Sequence, residues 1–150
     1  NAAARGTKIH ACIQGYFEQK LVTEYLELAK STDTALNEHF GTQLWICEKA
    51  FAHELGFGGK CDLHADNIVV YIKTKEGDLQ NVDVYAEHGM QLAAYREGFG
   101  MPTARCANIF VSRNTAGLCK IIEWTEEDLQ RGFDMFCALL KFWQLKNKYK

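Results

Sequence analysis

The run VVYIKTKEG, residues 69–77, carries a lysine, Lys73, at the end of an apolar stretch, and CDLHADN just ahead of it carries Asp62. If Asp66 and Asn67 form a two-residue turn, Leu63 stands opposite Val70 and Asp62 opposite Tyr71. Alternate residues of a strand share a face, so Asp62, Tyr71 and Lys73 project to one side. Either an acid and a lysine converge there in an otherwise apolar sheet, or both lie at strand ends and touch water. A carboxylate two residues before Lys73 would share this face and add a second hard oxygen ligand beside Asp62. In this chain that place holds Tyr71.

A second polar set lies on YAEHGMQLAAYREGF, residues 85–99, which reads as a helix. Glu87, Gln91 and Tyr95 fall on one stripe of it, with Arg96 adjacent. Such a stripe is either a solvated face or one wall of a site. His10 lies at the edge of the apolar stripe of an earlier helix, where a histidine is either packed and hydrogen-bonded or a ligand.

Several elements must position these residues. Ile9, Ile13, Tyr16, Phe17, Leu21, Tyr25 and Leu28 have helical spacing and predict one helix over 7–29, with Thr7 as N-cap. QLWICEKAF predicts a strand within 43–52, and LGFGGKCDLHA a second one with glycines at its start. NIVVYI is a continuous apolar β-rich run, as expected of a central strand buried on both faces. Residues 106–112 and 118–124 predict a hairpin around RNTAG. Thr125 with Asp128 begins a last helix whose apolar stripe is Leu129, Phe133, Phe136, Leu140 and Trp143. The order α, β-β-β, α, β-β, α predicts an α/β fold with a mixed sheet and flanking helices.

The 150 residues suggest one domain over 1–150, with no linker, repeat or low-complexity segment. The chain begins at Asn1 without a methionine, which suggests that upstream residues are missing. A net charge of −2 provides no global basic excess, so any contact with DNA needs a local patch; Lys8, Lys60, Lys75, Arg96 and Arg105 are its candidates. The six cysteines are widely spaced among apolar residues, which suggests reduced, buried thiols rather than a zinc or iron–sulfur site. No run approaches the roughly 20 apolar residues of a membrane span. GFGGK is not a phosphate-binding loop, because Glu54 and Cys61 stand where that loop needs glycine and Ser or Thr.

Taken together, four segments resemble the PD-(D/E)XK nuclease superfamily, in its RecB-like and phage-type exonuclease branch. RGTKIH resembles its Gly-Thr-x-x-His start and LGFGGKCDL its Gly-aromatic-x-Gly-x-x-Asp strand. VVYIKTKE is similar to the next strand, an apolar run followed by Asp/Glu-x-Lys-Thr, and EHGMQLAAYREG to the Gln-x-x-x-Tyr helix. Order and rough spacing agree over residues 5–99. The resemblance implies a restriction-endonuclease-like α-β-β-β-α-β core. It also implies a deoxyribonuclease of DNA recombination or repair, acting on linear or single-stranded ends with Mg²⁺ or Mn²⁺ in the cytoplasm of a bacterial or phage-infected cell. A phage or host recombination partner would accompany it.

Carried over by position, the resemblance makes His10 and Asp62 metal ligands. It makes Lys73 the lysine that activates water and meets the phosphate, and Gln91 and Tyr95 the residues that line the DNA groove. Lys60, Lys75 and Arg96 would contact substrate. Hard oxygen ligands suit Mg²⁺ or Mn²⁺, and the imidazole shifts preference towards Mn²⁺. Tyr71 departs from the pattern, because a neutral phenol is a poor ligand for a hard cation. Another carboxylate then takes its place, with Glu87 ahead of Glu48 and Glu54, or the chain is an impaired nuclease fold that binds DNA or protein, or the parent enzyme has Asp where this chain has Tyr71.

Overall fold

The computed structural model describes residues 2–53, 57–80, 82 and 86–148, and among them the side chains of 2, 48–53 and 57–61 lie outside the description. Two helices come first, α1 (Ala2–Phe17) and α2 (Leu26–Phe40). Three strands follow, β1 (Ile46–His53), β2 (Phe57–Ala65) and β3 (Ile68–Lys75), then α3 (Ala86–Gly98). The strands β4 (Arg105–Ser112) and β5 (Cys119–Glu123) and the helix α4 (Glu126–Lys146) complete the order.

The five strands form one mixed sheet in the order β1-β2-β3-β4-β5. Only β3 and β4 pair in parallel. A parallel pair needs a crossover connection, and α3 provides it. Leu63, Val70, Ile72 and Ile109 face one side, where Ile9 and Ile13 of α1 and Leu28 and Leu36 of α2 cover them. Val69 and Cys106 face the other side, against Leu92 and Ala93 of α3 and Leu129 of α4. The chain is therefore α/β, with helices on both faces of the sheet, as its element pattern predicts. Burying Ile9 and Ile13 completely contributes roughly 1.5–3 kcal/mol each.

The helix expected over 7–29 is two helices. Leu21 keeps the apolar phase but is 94% exposed. Gln19 and Tyr25 take φ of 61° and 54°, which no helix tolerates, and Tyr25 becomes the residue preceding α2. The break lets α2 fold back, and Tyr16 Oη of α1 donates to Asp33 Oδ2 of α2 at 2.8 Å. Thr7 is not a cap either: it lies inside α1, and its hydroxyl donates to the Ala3 carbonyl at 3.0 Å. Thr125 does cap α4, accepting from the Asp128 N–H at 3.1 Å.

Two glycines set how closely α3 and α4 approach. A Cβ at Gly89 would lie 2.7 Å from the Trp124 ring, and one at Gly132 would lie 2.9 Å from the Gly89 carbonyl carbon. The cysteines depart from expectation: of those described, Cys106 is buried, whereas Cys12, Cys47, Cys119 and Cys137 are half-buried. Burial pushes the Cys106 thiol up to about 12. Among the described residues no helix is long and apolar enough to cross a membrane.

Candidate active site

The β2–β3 hairpin supplies the centre. Its ladder sets Ala65 against Ile68, His64 against Val69 and Leu63 against Val70, the register that the Asp66-Asn67 turn dictates. Asn67 holds the turn at φ 55°. Every second pair of such a hairpin exchanges backbone hydrogen bonds, so the amide next in line after Leu63–Val70 is Ile72 N–H. It donates to Asp62 Oδ2 at 2.7 Å. A carboxylate thus stands where a strand carbonyl belongs, and the described ladder ends there.

The other Asp62 oxygen, Oδ1, meets His10 Nε2 of α1 at 3.2 Å. Asp62 is 14% exposed and His10 31%, so the pair is sheltered but reachable. On β3, Lys73 Nζ lies 5.0 Å from the centre of the Tyr71 ring, a cation–π approach between residues that share a strand face. A cleft of about 490 Å³ opens here, lined by Gly6, Thr7 and His10 of α1 and by Tyr71, Lys73 and Thr74 of β3. The helix passes close at Gly6, where a Cβ would lie 2.9 Å from Arg113 Nη1.

Not every expected residue joins. Glu87 is exposed at the start of α3, and the described residues contain no group of three or more His, Cys, Asp or Glu side chains gathered as for a metal ion. Glu87 therefore does not complete a set with His10 and Asp62. Glu48 and Lys60 belong to the side chains outside the description, and Glu54 lies outside the described residues altogether. Gln91 Nε2 donates to Tyr95 Oη at 2.8 Å, and Tyr95 packs on the same apolar cluster as Tyr71.

Arg96, expected to touch substrate, is 3% exposed. Its guanidinium grips Glu126 through two bonds, of 2.8 and 2.6 Å, and also donates to the Ala104 carbonyl at 3.1 Å. It holds α3 to the start of α4. Lys8 pairs with Glu24 at 2.7 Å. Arg105 pairs with Glu123 through two bonds and lies over the Phe40 ring at 4.7 Å. The expected basic patch is thus largely spent on local ion pairs, and Lys75 remains exposed at the end of β3.

Two residues were missed. His88 is held below its ordinary value by burial first and by the Lys73 charge second, with Glu87 opposing. The first turn of α3 is therefore within electrostatic reach of the β3 lysine. Helical spacing offered the signal, since His88, Gln91 and Tyr95 fall at i, i+3 and i+7. Arg113, from the β4–β5 turn, comes against Gly6 of α1, and nothing local in RNTAG marks it.

The donor chemistry fits a divalent cation only in part. His10 and Asp62 converge, one imidazole and one carboxylate, and Tyr71 adds no acid. Mg²⁺-type cations are commonly held by one or two carboxylates and completed by substrate phosphate and water, so this pair suits a weak, shared site.

No protein-family model matches the chain, and no curated protein matches it. A solved structure from Eubacterium rectale, described as a "Putative exonuclease", is similar over 97% of this chain and 69% of its own, at a TM-score of 0.63 and 13% identity. A second solved structure, described as SSO0001, is 18% identical over 73% of this chain and 55% of its own, with a TM-score of 0.32. At such identity the first likeness is one of fold: the chain shares the α/β architecture of that protein.

Proposed function

We propose that the chain is a nuclease acting on DNA phosphodiesters with the help of Mg²⁺ or Mn²⁺, most readily at linear or single-stranded ends, in DNA recombination or repair in a bacterium or its phage. The observation that carries this reading is the Asp62 carboxylate. It is fixed by the Ile72 N–H where the hairpin ladder ends, turned towards His10, and set beside a cleft lined by Lys73. The fold shared with the Eubacterium rectale protein supports it.

In this reading His10 and Asp62 hold the cation, and a phosphate of the substrate completes its shell. When bound, such a cation polarises the phosphate and assists attack by water. Lys73 presents a positive charge to the phosphoryl oxygens as negative charge builds on them. Arg113, beside Gly6, adds a second cation that steadies the neighbouring phosphate. Gln91 and Tyr95, bonded to each other, form one wall of the DNA groove.

A second reading is a nuclease fold that binds DNA or a partner without cutting it. Tyr71, and the failure of Glu87 to join His10 and Asp62, favour it. End-labelled linear DNA with Mn²⁺ separates the two, using the chain as it stands beside Tyr71→Asp and Lys73→Ala. Cleavage by the chain that Lys73→Ala removes supports the nuclease. Cleavage by Tyr71→Asp alone means a site silenced by one residue. DNA left intact by both the chain and Tyr71→Asp overturns the nuclease reading.

A further inference from the structure

The last helix carries more apolar surface than the body beneath it uses. α4 spans Glu126–Lys146, about 31 Å of helix, and its only buried residues are Leu129 and Gly132, both near its start. Met135, Leu139 and Phe142 make a second stripe at i, i+4 and i+7, flanked by Trp143 and Leu145. They are 39, 57, 64, 50 and 68% exposed respectively. Isolated exposed apolar residues need no explanation, but a contiguous run along one helix is the composition of an interface.

The charges select the occupant. The first turn of α4 is acidic, with Glu126 held by Arg96 and with Glu127 and Asp128 sharing Arg131; together with Asp134 the first half still keeps a net negative charge, while the second half carries Lys141 and Lys146. A second copy of α4 laid antiparallel sets acidic start against basic end, and does so twice because the arrangement is two-fold symmetric. A parallel copy sets like against like. With Met135 of one copy opposite Leu139 of the other, Asp128 faces Lys146, and Asp134 falls within one position of Lys141. Asp134 and Lys141 lie on the same flank of the helix, so in an antiparallel pair they meet on the same side. The helix dipoles also oppose each other favourably.

We propose that the chain forms a symmetric dimer through the exposed stripe of α4, packed antiparallel and aligned by the Asp134–Lys141 pairing. Sedimentation equilibrium of the whole chain tests it. The expected mass is twice 17.0 kDa, falling to the single value on dilution. Leu139→Glu with Phe142→Glu, both at exposed positions, gives a monomer of unchanged helical circular dichroism. Asp134→Lys or Lys141→Asp alone weakens the dimer about fivefold to tenfold, since symmetry doubles each pair and reversal makes it repulsive. The two together restore it. The single mass at every concentration overturns the proposal, as does a dimer that survives the Leu139 and Phe142 changes. Polydisperse aggregates, a charge swap that fails to restore association, or a monomer that floats with anionic vesicles overturn it too.

Discussion

His10 Nε2 and Asp62 Oδ1 meet at 3.2 Å, although one comes from the first helix and the other from the second strand. The same Asp62 carboxylate accepts the Ile72 N–H through its other oxygen. Its two duties separate by substitution. Asparagine keeps an oxygen for Ile72 but carries no charge, so Asp62→Asn should stay within about 1 kcal/mol of the parent and, on the proposed nuclease reading, should lose cation binding and cleavage. Asp62→Ala strands the amide as well and costs about 1–3 kcal/mol. Urea denaturation alongside calorimetric Mn²⁺ titration measures both.

Acid should loosen the ends of β5 and α4 together. The Arg105 guanidinium, then His39, holds Glu123 below its ordinary value of 4.5, and Arg96 does the same for Glu126. A carboxylate depressed in the folded state stabilises the protein above its unfolded value, and that stability is lost as pH falls through the folded one. The midpoint of urea unfolding should therefore fall as pH drops below about 4.5. Glu126→Gln should flatten part of that slope. Glu126 is 68% exposed, so solvent screens its share and the effect is modest.

The contact between α3 and α4 admits no side chain at Gly132. An added Cβ there meets the Gly89 and Met90 backbone, which cannot swing aside, whereas at Gly89 it meets the Trp124 ring. Gly132→Ala gains about 1 kcal/mol of helix propensity and loses more to overpacking, for a net cost of about 1–2 kcal/mol. Thermal melts measure this. Trp124 Nε1 donates to Asn108 at 2.8 Å, so Gly89→Ala should also change the tryptophan emission.

The Cys106 thiol, pushed up to about 12 by burial, should resist a thiol reagent at pH 8 in the folded chain and react once urea unfolds it. Mass mapping of the labelled peptides should then find Cys106 among the last modified.

The hairpin was legible because its signals are local. A turn of Asp66 and Asn67 and a β-rich run determine the Leu63–Val70 register without knowledge of the rest. The split of α1 from α2 was not, since Leu21, Tyr25 and Leu28 keep the helical phase through the break and only the backbone at Gln19 and Tyr25 betrays it. For the site, the strand pattern set Tyr71 and Lys73 on one face. The role of Arg96 was hidden because its partner, Glu126, lies thirty residues away across a tertiary contact. His88 and Arg113 were hidden for the same reason: what matters is the neighbour they meet, and that neighbour is on another element.

The Ile72 amide has a consequence of its own. A strand amide bonded to a carbonyl reports only whether the sheet is intact. This one is bonded to the carboxylate that also faces His10, so its NMR chemical shift responds to whatever that carboxylate binds. Its exchange with deuterated solvent follows the opening of one side chain as well as the unfolding of a strand. A single backbone resonance thus reads the state of the Asp62 carboxylate without any label or any turnover.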